Sequence, residues 1–393
     1  SESATSTNSN QRDGPKLIFL GSGSSMGCPV GTCTMTLTQT MENVTTKAGS
    51  ETNRFTPTCQ VSHLASRGDP KYNKNYRNNP SFLIHHYDHE SESYKNIVID
   101  VGKTFREGAM RWFPEFHIQS LDAIILTHEH MDAAGGLDDV RGFQRHEFLS
   151  PPPGGPSQSQ SVGASPVPPF RRIPVPLYLS QHCHERLQSQ FPFLLPKKMG
   201  ANLVDSCCTD PVTTSTTTPG ASTPAIPSQP IVHRDVAGFD VHFFQAYQPM
   251  HVKGLNIIPL PVWHGDDLIS YGFAFSIPTT KSKNHEGTNS VINVVYISDI
   301  SRMVPETLDF IQKELPPTDI LVVDALLWRR QHPTHYSLEQ AVELRNQIQP
   351  RLQTYLVGMS CDNYSPHEEM ETYLKTTYGN VTMAHDGLVI PLE

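Results

Sequence analysis

The chain of 393 residues is 37% hydrophobic and carries a net charge of −9 at pH 7. That apolar share suffices for a substantial buried core. The 30 basic residues are scattered along the sequence, which argues against duplex nucleic acid as a partner, and no run of about 18 apolar residues offers a membrane span.

The opening SESATSTNSNQRDG is polar and lacks the apolar segment of a secretory signal, so residues 1–14 read as a disordered tail. A cytoplasmic location is the default expectation, and it does not bear on a targeting segment upstream of this chain. The stretches PPPGGPSQSQSVGASPVPP (151–169) and TDPVTTSTTTPGASTPAIPSQP (209–230) hold almost no large apolar side chains. They are expected to be low-complexity insertions, at about 146–170 and 209–230, in one domain spanning 15–393. The 7 cysteines, an odd number in a long chain, fit reduced thiols and metal ligands better than a disulfide framework.

In chain order, KLIFLGSGSS reads as a buried strand ending in a tight turn, and SFLIHHY (81–87) with NIVIDVG (96–102) as a hairpin. LDAIILTHEH, VPLYLS, DVHFFQAY and LNIIPLPVWH follow as further strands, then LISYGFAFSI, VINVVYISD and DILVVDALL. Helical patterns are expected at 304–315, 337–348 and 366–376. Strands interleaved with helices, with polar residues at strand ends, describe an α/β layered domain.

The densest chemistry lies in ILTHEHMDAAGGLDDVR, where His128, His130 and Asp132 recur at alternating positions after an apolar run. On an extended segment or its terminal turn they point the same way, and two same-side imidazoles are plausible metal ligands. His264 ends LPVWHG and Asp299 ends YISD, each a polar residue delivered by a strand end. Taken singly, each is as readily a turn former, a helix cap or a loop residue.

These residues, with FLGSGSSMGCPVGTC, NPSFLI, IVIDVG, DALLWRRQHPTHYSLEQA, LVGMS and DGLVI, resemble the metallo-β-lactamase superfamily. Within it the resemblance is to the phosphoribosyl cyclic phosphate phosphodiesterase branch and its uncharacterised eukaryotic relatives. It spans residues 19–390, the insertions excepted, and implies a four-layer αββα sandwich. It also implies a metal site of His128, His130 and His264 with Asp299 bridging to a second site that includes Asp132. The family's remaining second-site histidines fall on Ala133 and Gly358 here. One firmly held zinc is therefore expected, with a second ion such as Mn or Mg weak or absent.

By the same resemblance His335 contacts the substrate phosphate and acts as general acid, Asp132 orients or deprotonates the attacking water, and Arg141 pairs with the phosphate or with Asp138 or Asp139. A structural zinc on Cys33, Cys59, His63 and Cys361 is also implied, with Cys28 able to replace one of them. The expected activity is hydrolysis of a small cyclic phosphate or nucleotide-like diester. A thioesterase or lactonase activity is the alternative, and a non-catalytic zinc-stabilised interaction protein is the alternative of another class. Nothing in the sequence indicates an oligomeric state.

Overall fold

The apolar runs pair into two seven-stranded sheets, in a computed structural model that describes residues 14–35, 59–148, 170–196, 236–279 and 290–392. The strands are β1 (Lys16–Gly21), β2 (Ser81–Asp88), β3 (Ser93–Ile99), β4 (Ala123–Ile125), β5 (His146–Phe148), β6 (Phe170–Arg172), β7 (Val175–Leu179) and β8 (Phe239–Phe243). They continue as β9 (Met250–Val252), β10 (Leu255–Trp263), β11 (Ile269–Pro278), β12 (Val291–Ile297), β13 (Ile320–Asp324), β14 (Gln353–Val357), β15 (Val381–Met383) and β16 (Val389–Pro391). The first sheet runs β16-β1-β2-β3-β4-β7-β8 and the second β15-β14-β13-β12-β11-β10-β9.

Alternation along the strands splits the apolar side chains between two faces. Phe19, Phe82, Ile84 and Ile99 of the first sheet meet Ile257, Phe273, Tyr296 and Val322 of the second in one buried layer. Phe82 stacks on Tyr296 with ring centroids 5.0 Å apart. The opposite face of the first sheet packs on helices Phe105–Trp112 and Gln181–Gln190. That of the second packs on Pro305–Lys313, Leu338–Ile348 and His367–Tyr378. The result is the expected αββα sandwich, and no helix among the described residues is long and apolar enough to cross a membrane.

The hairpin expected at 81–102 forms with Phe82 opposite Ile99. The three late helices also form at the expected places, and Ser337 caps Leu338–Ile348 through a capping box with Gln340. The expected insertion at 146–170 begins and ends on an antiparallel ribbon of β5 and β6. The residues between those strands, the expected insertion at 209–230 and the tail at 1–13 lie outside the described residues.

Candidate metal centre

Strand ends of both sheets converge at one edge of the sandwich. β4 stops at Ile125, and the following loop carries His128 and then His130, which caps the short helix Met131–Ala134 holding Asp132. That helix lies against the turn after β3, with Val101 N donating to Ala133 O at 2.7 Å and Lys103 N to Met131 O at 3.0 Å. Gly102 permits the approach, since a Cβ there would fall 1.8 Å from the Asp132 carbonyl oxygen. β10 delivers His264, β12 delivers Asp299, and β13 ends on Asp324, behind His335.

Potential ligand atoms of His128, His130 and His264 lie within 4.8 Å of one another, as do those of His264, Asp299 and His335. Two of the rings, His128 and His264, are oriented from behind. Thr127 Oγ1 donates to Asp100 Oδ2 at 2.8 Å and contacts His128 Nδ1 at 2.8 Å, so the His128 proton sits on Nδ1. His264 Nδ1 donates to the Thr334 carbonyl at 2.7 Å. Both Nε2 lone pairs are thereby directed inward. His128 Nε2 is buried without a hydrogen-bond partner, while His264 Nε2 faces His130 Nδ1 at 3.3 Å. Convergent imidazole nitrogens, one of them buried without a partner, suit a divalent cation, and three imidazoles leaving an open position suit zinc.

Burial pushes the His128 pKa down to about 3, so the ring is neutral at pH 7 and its 3.9 Å approach to Asp132 Oδ1 is not an ion pair. Burial, then the nearby Asp299 charge, raises the Asp132 pKa. Burial also opposes ionisation of Asp299, but His128, His264 and His335 outweigh it and hold that carboxyl below its ordinary range. His335 Nδ1 donates to Asp324 Oδ2 at 2.7 Å. Burial disfavours the imidazolium, yet the Asp324 charge prevails and lifts His335 to about 9. Burial lifts Asp324 to about 6.

A cleft of about 730 Å³ opens over this edge, lined by His130, Asp132, His264 and His335 together with Lys103, Arg330 and His332. Arg141, expected at the phosphate or at Asp138 or Asp139, does not line it. It sits in the 3₁₀ turn Leu137–Phe143, with Nη1 3.6 Å from Asp138 Oδ2. Asp324, Asp100, Lys103 and Arg330 carried no role in the sequence analysis. Asp324 had the same signal as Asp299, an aspartate closing an apolar strand, in DILVVD.

A second cluster joins Cys33, Cys59 and Cys361, whose sulfurs lie within 4.8 Å of one another. His63, expected as the fourth member, does not belong to it. Cys59 caps helix Gln60–Ala65 with φ −125° and ψ 79°, and its Sγ turns back over the helix start to accept Ser62 N–H at 3.4 Å. Cys28 packs beside the cluster, against Cys59 and Cys361, with its Sγ 3.9 Å from Ser62 Oγ. Cys207 and Cys208 lie outside the described residues.

A family model described as a beta-lactamase superfamily domain matches residues 95–162, the stretch that carries the histidine motif. The chain superposes on the crystal structure of a new diphosphatase from the PhnP family with TM-score 0.57 and 24% identity, covering 96% of this chain and 98% of that one. It superposes on Zn(2+)-bound PqqB from Methylobacterium extorquens with TM-score 0.54 and 14% identity, over 96% and 100% of the two chains. A Porphyromonas gingivalis protein named octanoyltransferase is 22% identical over 343 residues, 86% of this chain but 50% of that protein. Two sheets between helical layers and a histidine cluster at their edge give the chain the metallo-β-lactamase fold, and its histidine motif lies in the stretch that matches the beta-lactamase superfamily domain.

Proposed function

We propose that the protein is a zinc-dependent phosphodiesterase acting on a small cyclic phosphate or nucleotide-like diester. The observation that carries this reading is the pairing, in one cleft, of the imidazole cluster with Lys103, Arg330 and His335, a cationic rim suited to a phosphate anion. The resemblance to the cyclic phosphate phosphodiesterase branch and the likeness in fold to a structure called a diphosphatase support the same substrate class.

His128, His130 and His264, with Asp299, would hold the ion, which supplies Lewis acidity toward a water and a phosphoryl oxygen near neutral pH. Asp132 accepts the proton of the attacking water, a role served by its raised pKa and its place in the cleft wall. His335, protonated at pH 7 and oriented by Asp324, donates a proton to the departing alkoxide. Lys103 and Arg330 offset the phosphate charge. Asp132 and the bridging Asp299 are left for a second ion, and with Ala133 and Gly358 in place of imidazoles a Mn or Mg ion there is weakly held or absent. A further zinc at the cysteine cluster is structural in type.

The test is turnover of bis(4-nitrophenyl) phosphate, a ribose cyclic phosphate, an acyl thioester and a lactone by one zinc-loaded preparation. Turnover confined to the phosphate esters supports the reading. Turnover confined to the thioester or the lactone assigns the cleft to carbonyl chemistry, the direction in which the octanoyltransferase relative points. Turnover of none leaves the non-catalytic alternative.

A further inference from the structure

We propose that Arg77 is the counter-charge of a four-thiolate metal centre built by Cys28, Cys33, Cys59 and Cys361, and that it ties this centre to the wall of the cleft. The inference rests on the cysteine cluster holding a metal and is independent of the substrate.

Arg77 is 1% exposed and is one of the largest fully buried side chains. Its Nε and Nη2 have no hydrogen-bond partner. Nη1 donates only to the carbonyls of Met359 and Ser360, at 3.4 and 3.3 Å. Among the described residues no carboxylate forms an ion pair with it. Asp386 acts on it from farther away, but its carboxylate already accepts Ser22 N and Oγ, both at 2.9 Å, and Asn78 N at 2.8 Å. The Tyr364 hydroxyl donates to Ala325 O at 2.7 Å, and burial keeps it protonated.

The Arg77 guanidinium lies on the segment that leads into Cys361, and the residue's own backbone pairs with Cys28. Cys28 is bound to it through the backbone, Cys28 N donating to Arg77 O at 2.8 Å and Arg77 N to Cys28 O at 3.0 Å. Four neutral thiols would leave a buried guanidinium with no anion in contact, which the chain tolerates poorly. A divalent ion on four thiolates carries a net charge of about −2, and one adjacent buried cation offsets half of it.

The same guanidinium reaches the cleft wall. Ser360 lines the cleft and precedes Cys361, and Met359 bridges to Gly23 on the loop that bears Ser24, also in the lining. Loss of the metal would therefore loosen two segments that border the substrate.

The test uses full-length protein stripped of metal and reloaded with Cd²⁺, read by thiolate-to-cadmium absorption, which ignores the histidine site. Wild type should show four thiolates on one cadmium, and Cys28→Ala three. Arg77→Met should surrender thiolate-bound cadmium to a chelator at least ~tenfold more readily than wild type, with Arg77→Lys staying within about threefold. No cadmium–thiolate absorption in wild type would overturn the thiolate centre itself. Absorption with equal retention in Arg77→Met, or equal loss in Arg77→Lys and Arg77→Met, would overturn the charge assignment alone. The Arg77 Nε–H resonance of wild type needs no variant. It should shift and lose exchange protection when cadmium is removed, and indifference to the metal would overturn the proposal.

Discussion

Asp324 Oδ1 fills the space that a side chain at Gly358 would need, lying 2.3 Å from an ideal Cβ on that residue. Gly358 also sits at φ +75°, where a Cβ is strained whatever the room. A ligand side chain and the buried Asp324 carboxylate are thus mutually exclusive here. Gly358→His is expected to lower stability by ~2–4 kcal/mol without raising metal content at the histidine site. Denaturant unfolding with metal analysis checks both, and a folded variant that gains an ion would refute the exclusion.

The hydrogen bond from His335 Nδ1 to Asp324 Oδ2, 2.7 Å long, sets which His335 nitrogen faces the cleft. Asp324→Asn removes the charge that keeps His335 protonated and frees the ring's tautomer. A loss of kcat of ~10²–10⁴, little change in KM and a shift of the basic limb of the pH–rate profile to lower pH are expected. An unchanged profile would show that His335 transfers no proton in the rate-limiting step.

His264 belongs to both candidate ligand groups, so its removal tests the whole centre. In His264→Ala, metal should fall by about one ion per chain, hydrolysis should be lost, and the thiolate-bound ion should remain. Elemental analysis of the two proteins side by side decides it, and unchanged metal content would remove the proposed centre.

Lys103 and Arg330 line the cleft without belonging to either ligand group. Lys103→Ala and Arg330→Ala are each expected to raise KM for a phosphodiester by ~tenfold while leaving kcat and bound metal near wild type. Arg330 also pairs with Asp362 at the rim, so Asp362→Asn should lower KM by releasing the guanidinium to the substrate. Steady-state kinetics with a charged and a neutral ester separates these effects from a change of shape.

His86 is buried with neither ring nitrogen hydrogen-bonded, and burial pushes its pKa from 6.5 down to about 4. Between those values the unfolded state binds the proton and the folded state does not. Stability is therefore full above pH 6.5 and falls as pH drops toward 4, by ~1.4 kcal/mol per pH unit for this group. His86→Phe should flatten that part of the curve of unfolding free energy against pH, measured in urea from pH 4 to pH 7.

The sequence by itself determined the layered architecture, because period-2 apolar runs and capped helical patterns are local properties that burial enforces wherever the chain folds. Through the family resemblance it also pointed to His128, His130, Asp132, His264 and Asp299 as candidate ligands, each of which follows a strand end. Tertiary structure alone decided the partners that come from elsewhere in the chain. Asp324 reaches His335 across the turn after β13, Cys33, Cys59 and Cys361 gather without His63, and Arg141 turns toward Asp138. It also decided that Arg77, an ordinary basic residue in sequence, is buried beside the cysteines. Such roles depend on the direction of a side chain and on which neighbours exclude water from it, and neither is written in the spacing of residues along a strand.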